Sequence, residues 1–412
     1  MNRQAITRTE NALWGLFIGD ALAMPVHWYY DRENIRREFD GGVRGYEAPH
    51  HPHPGSFMVG MSYEPDVESA RRLGRPYDIL HEHARFYETS YGSLQIDRDE
   101  RESQHGNSVP RLEQRYHYHH GLEAGENTLG AHLVRELVRS VARAGEYHPD
   151  AFLEGFVHHL STPGLNRDPY TEIYIRRWFE RYSRGLPRTE CAEHQRAVWS
   201  IGSHGGMIRP MVLSLLFPGS SSKALGMALE HQVLTHRSEN VATALTVACP
   251  LLHELVDGGD ADGAFHRAAA GLHLPAVTGD ELFAAYRDHN GPGNIPDDRM
   301  WHLHVDLRPE PFDLAATLEI PEEDAVMGTF ATACYPEHGL PLALYLSATH
   351  GYDLRESLLA GANAGGDNVH RTMVQGLLAG AASPTIPDDL KAGLRDADAI
   401  QNEIDAVLAL LA

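Results

Sequence analysis

Apolar residues recur at helical spacing along most of the 412-residue chain. Leu13, Leu16, Phe17 and Met24 fall on one face of a first helix, and Leu129, Leu133, Leu137 and Val141 mark another that stops near Gly145. The same period predicts helices over residues 150–160, 171–184, 206–217, 222–234, 238–257 and 355–362. Val369, Met373, Leu377 and Ala381 form a further stripe at i, i+4, i+8 and i+12, while Gly376 and Gly380 would let a second backbone approach that helix. No segment alternates at period two or shows a βαβ rhythm, so the expected fold is all-α, with roughly a dozen or more helices. Residues 40–118, with many Gly, Pro, His and Arg, and residues 272–323, containing Asn290-Gly291-Pro292-Gly293-Asn294, break the pattern and read as long loops. Loops of that length are usually functional or disordered. No repeat or clean linker divides the chain, and a single domain over residues 1–412 is expected.

Composition narrows the partners. The formal net charge of −22 argues against nucleic acid or an anionic membrane as the main partner. The N-terminal residues 1–10 are polar, and the longest apolar stretches, 211–217 and 241–248, are too short to span a bilayer. A cytoplasmic protein is expected. Its three cysteines, Cys191, Cys249 and Cys334, form no CxxC pair, which supports neither a disulfide framework nor a zinc ribbon. Positive charge is almost all arginine, with lysine at Lys223 and Lys391; arginine suits bidentate recognition of phosphate or carboxylate.

Candidate chemistry gathers in three places. Gly365-Gly366-Asp367-Asn368-Val369-His370-Arg371 leads into the C-terminal stripe. Asp367 or Asn368 is a natural N-cap there, and His370 lies three residues on, so carboxylate, amide and imidazole would share a helix start suited to a cation, a phosphate or a sugar. In the first helix Asp20 falls inside the apolar stripe, seven residues after Leu13. A buried carboxylate needs a partner, so Asp20 either holds an arginine or helix N-terminus or acts in catalysis. The following His27-Trp28-Tyr29-Tyr30 cluster could stack on a sugar or base, or seal the core edge. Gly125-Glu126-Asn127-Thr128 precedes the helix from Leu129; Asn127 and Thr128 are cap candidates, and Glu126 aligns with the buried stripe if the helix starts early. Arg209 and Arg371 are candidate anion clamps and His236 is a possible site residue, against a plainer reading of all three as solvated or salt-bridged surface groups. His117-Tyr118-His119-His120 resembles a metal tract but reads as surface or loop histidines, and the Asp257–Gly263 acidic loop fails as an EF-hand because position twelve from Asp260 is Gly271. No P-loop, GxGxxG after a strand or GxSxG is present.

Together these segments resemble the ADP-ribosylglycohydrolase family, which includes the jellyfish crystallins. The family's Gly-Asp-Ala-Leu-Gly-x-Pro-x-Glu reads here from Gly19 to His27, its Thr-Asp-Asp-Thr reads Gly125-Glu126-Asn127-Thr128, and its Gly-Gly-Asp-Thr-Asp-Thr reads Gly365-Gly366-Asp367-Asn368-Val369-His370. The order and spacing cover nearly the whole chain. The resemblance implies a compact orthogonal bundle of helices and a cleft where the motifs meet. It also implies hydrolysis of an N- or O-glycosidic bond at C1 of ADP-ribose, with two Mg2+ organising the ribose and a water. The chain departs at the metal positions: Asp367 remains, Glu126 and Asn127 can still offer oxygen, but Gly125, Val369 and His370 replace other ligands. That leaves one Mg2+ or none as the expectation.

The expected function is hydrolysis of an N-glycosidic ribosyl bond in a small-molecule or ADP-ribosylated substrate. Glu126, Asp367, His370 and Asp20 are the catalytic candidates. His27, Trp28, Asn127, Thr128, Asn368, Arg371, Arg209 and His236 would contact substrate. Asp367, Glu126 and Asn127 would hold any metal. The alternatives are a non-catalytic ADP-ribose- or nucleotide-binding or crystallin-like protein, and a metal-free glycosidase acting on a nucleoside-like metabolite. The oligomeric state is not set by the sequence.

Overall fold

The computed structural model describes residues 2–56, 58, 61–87, 115–194, 202–217, 221–290 and 306–411. In chain order the α-helices are α1 (Arg3–Ala23), α2 (Arg32–Glu38), α3 (Val67–Leu73), α4 (Leu129–Ala144), α5 (Pro149–Ser161), α6 (Ile173–Ser183), α7 (Gly205–Leu215), α8 (Ser221–Gln232), α9 (Glu239–Val256), α10 (Ala261–Ala269), α11 (Gly279–Asn290), α12 (Leu314–Leu318), α13 (Glu322–Ala325), α14 (Pro336–Thr349), α15 (Leu354–Asn363), α16 (Asn368–Ala382), α17 (Asp388–Ala392) and α18 (Ala397–Leu408). Among the described residues strand pairing is confined to isolated bridges, so the all-α expectation holds.

The periodic segments are where the spacing put them. α4 starts at Leu129 and closes on Gly145 in the left-handed conformation, φ +76°. α9 starts after Ser238, whose hydroxyl caps the Val241 N–H. The two irregular stretches are less bare than expected. The first contains α3 and a 3-10 turn over His81–Phe86, and the second contains α11 and α12. Much of each, including Gly291 to Asn294, lies outside the described residues.

One contact organises the core. From Leu13 to Ala23 every residue of α1 is buried, as is every residue of α16 from Asn368 to Ala381. A Cβ placed on Gly15 would fall 2.1 Å from the Gly376 carbonyl oxygen, and one on Gly19 would fall 2.5 Å from that of Thr372. A Cβ on Gly380 would meet the Asn11 carbonyl at 2.3 Å. As the partner number rises by four on one helix it falls by four on the other, so the two helices run antiparallel in backbone contact. The start of α16 therefore lies against the end of α1, which brings Asp367 beside the residues that follow Ala23. Replacing Gly376 by Ala drives backbone into backbone and should lower unfolding free energy by about 1–3 kcal/mol or more. Gly226→Ala at an exposed position of α8, where a Cβ meets nothing within 4 Å, should be neutral or stabilise by about 0.5–1 kcal/mol. Urea unfolding of the two variants checks both signs.

Candidate functional site

The loop into α16 is held open by glycine. Gly365 and Gly366 both take left-handed φ, +69° and +68°. A Cβ on Gly365 would strike the Tyr29 carbonyl at 2.2 Å, and one on Gly366 would strike that of Thr332 at 2.0 Å. The Trp28 N–H donates to the Gly366 carbonyl and the Gly366 N–H to the Tyr29 carbonyl, each at 2.8 Å. This pairing fixes His27 against Asp367. Trp28 itself has φ +66°, a strained value for a bulky residue, and its ring stacks on His27 at 4.9 Å.

Asp367 stands at the N-cap position of α16 without making the side-chain capping bond expected of it. Its carboxylate is engaged by imidazoles instead. Oδ1 lies 2.8 Å from His370 Nδ1 and 3.1 Å from His27 Nε2, and Oδ2 lies 3.5 Å from His204 Nδ1. The network continues outward on both sides. His370 Nε2 is 3.3 Å from Glu172 Oε1. His27 Nδ1 is 2.7 Å from His119 Nε2, and His119 Nδ1 is 2.9 Å from Asp168 Oδ1. Asp168 also accepts the backbone N–H groups of Leu129 and Tyr170. The chain of groups is thus Asp168, His119, His27, Asp367, His370, Glu172, and all but Glu172 are buried.

His370 has a carboxylate at each ring nitrogen, Asp367 at Nδ1 and Glu172 at Nε2. Burial opposes charge on His370, but Asp367 and Glu172 outweigh it and raise its pKa well above 6.5. Burial likewise opposes ionisation of Asp367, and the surrounding imidazoles and their hydrogen bonds hold it well below the usual carboxylate range. His27 is pushed by burial down to about 3 and His204 to about 4.

The other candidates have different places. Asp20 holds a helix N-terminus: its two oxygens accept Thr128 N–H, Thr128 Oγ1–H and Asn127 Nδ2–H at 2.6–2.8 Å. Thr128, at the N-cap of α4, therefore makes no side-chain cap. Glu126 turns away from Asp20, pairing with Arg167 and accepting the Glu123 N–H. Gly125 takes φ +77° with the Gly393 carbonyl 2.2 Å from where a Cβ would stand, so backbone geometry keeps a side chain out of that position. Asn368 ties α16 to the Ala23 and Ala362 carbonyls. Arg371 and Arg209 are neither solvated nor salt-bridged among the described residues. Arg371 is 1% exposed and donates to the Gly361 and Gly365 carbonyls, bracing the glycine loop. Arg209 is buried between the Tyr174 and Thr235 hydroxyls. His236 is also buried, with its ring 4.1 Å from that of Tyr174.

The histidine tract is not a surface feature. His117 and His119 are buried, because Nε2 of His117 meets the Pro25 carbonyl and His119 bridges His27 to Asp168. Asp168, Glu172, His119 and His204 are the site residues that sequence reasoning missed. The signal available was the tract's own density of histidine; nothing local marks Glu172. A cleft of about 560 Å3 is lined by Tyr30, Arg32, Arg36, Asp280 and Glu323, and none of the network side chains lines it.

These donors do not fit a pair of Mg2+ ions. Mg2+ takes oxygen ligands in strict octahedral geometry, whereas Asp367 is surrounded by ring nitrogens and Glu126 is paired elsewhere. A group of His27, Asp367 and His370, with ligand atoms within 4.8 Å of one another, has the composition to hold some metal ion.

A helical bundle whose first helix and C-terminal glycine motif meet at a buried acid–imidazole cluster defines the class as an all-α fold with an internal polar network. Among solved structures the chain is similar to an ADP-ribosylglycohydrolase-related protein complex, with a TM-score of 0.53 and 17% identity over 99% of each chain, a likeness of fold. The profile of the ADP-ribosylglycohydrolase family matches residues 1–412, and the chain belongs to that family of glycohydrolases. No curated protein matches it. Among the described residues no helix is long and apolar enough to cross a membrane.

Two expectations follow from the site's surroundings. Asp168→Ala leaves a buried imidazole and two backbone N–H groups without their acceptor, and should cost about 3–5 kcal/mol in urea unfolding. Glu337, at the start of α14, accepts from Asn240 through one oxygen and has its other oxygen buried without a partner among the described residues. Burial raises its pKa from 4.5 to about 7. The folded state favours the neutral acid, so this stabilisation is complete below pH 4.5 and is lost as pH rises through 7. Glu337→Gln should flatten the fall in unfolding midpoint between those values.

Proposed function

We propose that the chain hydrolyses a glycosidic bond at the anomeric carbon of a ribosyl group, in an ADP-ribosylated or related ribosylated substrate. The observation that carries this reading is the ionised Asp367 carboxylate, held by imidazoles at the start of a buried helix in a chain of glycohydrolase ancestry. Departure of the aglycone leaves positive charge on C1 and the ring oxygen, and a fixed carboxylate offsets that charge as it develops. Glu172 is the outermost carboxylate of the network, partly exposed at the N-cap of α6. It takes a proton from the attacking water, whose oxygen bonds to C1 as the C1–aglycone bond breaks. Glu172 then returns that proton to the leaving nitrogen or oxygen, so the two carboxylates divide the work.

His27 and His370 orient Asp367. Trp28, stacked on His27, offers an aromatic face for a sugar or base. Arg209 has no carboxylate partner among the described residues and remains a candidate for an anionic part of the substrate. Glu126, already paired with Arg167, has a lesser part than its motif position implied.

The test is turnover of a panel of N- and O-linked ADP-ribosyl conjugates and simple nucleosides, read as released ribosyl product by mass spectrometry. On whichever member turns over, Asp367→Asn and Glu172→Gln should each lower kcat by about 100-fold or more, with Glu126→Gln within a few-fold of wild type. Full activity in Asp367→Asn would sink the assignment. Tight ADP-ribose binding with no turnover of any conjugate would favour a binding protein instead.

A further inference from the structure

The imidazoles that converge on Asp367 share one pattern of connection. Each turns one nitrogen toward the carboxylate: His27 Nε2 and His370 Nδ1 toward Oδ1, and His204 Nδ1 toward Oδ2. Each ties its other nitrogen to a fixed group outside. For His370 that group is Glu172. For His27 it is His119, itself anchored on Asp168. For His204 it is the Ala333 carbonyl, 3.2 Å from Nε2. Outer partners of this kind fix the tautomer and ring orientation of metal-binding histidines, leaving the inner lone pair aimed at an ion.

His204 makes the case sharpest. The Ala333 carbonyl can only accept, so His204 Nε2 carries the proton, and Nδ1 of the neutral ring presents a bare lone pair. That nitrogen is buried, has no hydrogen-bond partner among the described residues and faces a carboxylate oxygen at 3.5 Å. A proton or a metal cation between that nitrogen and the oxygen would relieve the contact.

We propose that this cluster is a mononuclear site for a borderline divalent transition ion of the Zn2+ or Fe2+ type, bound by His27, Asp367 and His370, with His204 Nδ1, which faces the second carboxylate oxygen, as the fourth donor. Imidazole donors select such ions over Mg2+. Metal–ligand distances of about 2.0–2.2 Å place neighbouring tetrahedral ligands about 3.3 Å apart. The observed 3.1 and 2.8 Å separations on Oδ1 are within about half an ångström of that. The ion takes the place of the protons that His27 and His370 donate to Asp367 when the cluster is metal-free. The inference concerns what fills the site and stands whether or not the riboside reading holds.

The test uses the full chain without an affinity tag. Chelator-stripped protein is titrated by calorimetry with Zn2+ and, separately, with Mg2+, and the Co2+-loaded protein is examined for visible bands of an ion with nitrogen ligands. One equivalent of Zn2+ should bind, undisplaced by a large excess of Mg2+. Asp367→Asn and His204→Gln should weaken Zn2+ binding at least tenfold. Glu172→Gln, which touches no ion and alters only the outer partner of His370, should weaken it by about 10–100-fold. His158→Ala, at an exposed histidine, should leave it unchanged. Circular dichroism and thermal unfolding confirm that each variant is folded. The proposal falls if stripped, folded wild type binds no Zn2+, if binding persists undiminished in folded Asp367→Asn, His204→Gln and Glu172→Gln, or if Mg2+ binds as tightly as Zn2+.

Discussion

Everything else in this bundle depends on two buried helices that touch along their backbones. Glycines at 15, 19, 376 and 380 let α1 and α16 approach so closely that even a methyl group would collide with a carbonyl at any of the four. The contact does more than fill a core. Because the helices run antiparallel in one register, the loop that leaves α1 and the loop that enters α16 must arrive together. The Trp28–Gly366 and Gly366–Tyr29 hydrogen bonds then lock those loops side by side. A shift of one turn would carry Asp367 about 5.4 Å along α1 and away from His27.

Two of the buried aspartates, Asp20 and Asp367, are given opposite characters by their partners. Asp20 meets three donors from a single segment, Asn127 and Thr128, and so fastens the start of α4 to α1. No titratable partner is hydrogen-bonded to it, and burial raises its pKa. Asp367 meets imidazoles from three separate parts of the chain and remains ionised. Nothing in the residue type distinguishes them; the difference lies in whether the donors bring charge. Arg371 belongs to the first pattern despite its position beside the motif, since its guanidinium is engaged by loop carbonyls.

Much of the architecture was legible because helical periodicity is a local property. The stripe at Val369, Met373, Leu377 and Ala381, the stop at Gly145 and the helix predicted over 238–257 all rest on neighbours in sequence, and all three appear within a residue of where they were read. The Asp367–His370 pairing was legible for the same reason, being three residues apart on one helix. The remainder of the network was not, because it is assembled from segments far apart in the chain. A histidine tract reads as polar surface until the fold shows Asp168 and the Pro25 carbonyl waiting for it. Glu126 aligned with the buried stripe only on the premise of an early helix start. α4 begins at Leu129 instead, and the carboxylate turns out toward Arg167.

The departures from the family's motif form a coherent set rather than scattered losses. Val369, in place of a carboxylate, packs into the apolar core at 1% exposure, so that position no longer addresses the site at all. His370, one residue on, turns inward and finds carboxylates at both nitrogens. His27, where the resemblance has glutamate, is backed by His119 and Asp168. Here oxygen donors have been exchanged for nitrogen donors, and the outer partners that nitrogen donors need are in place around them.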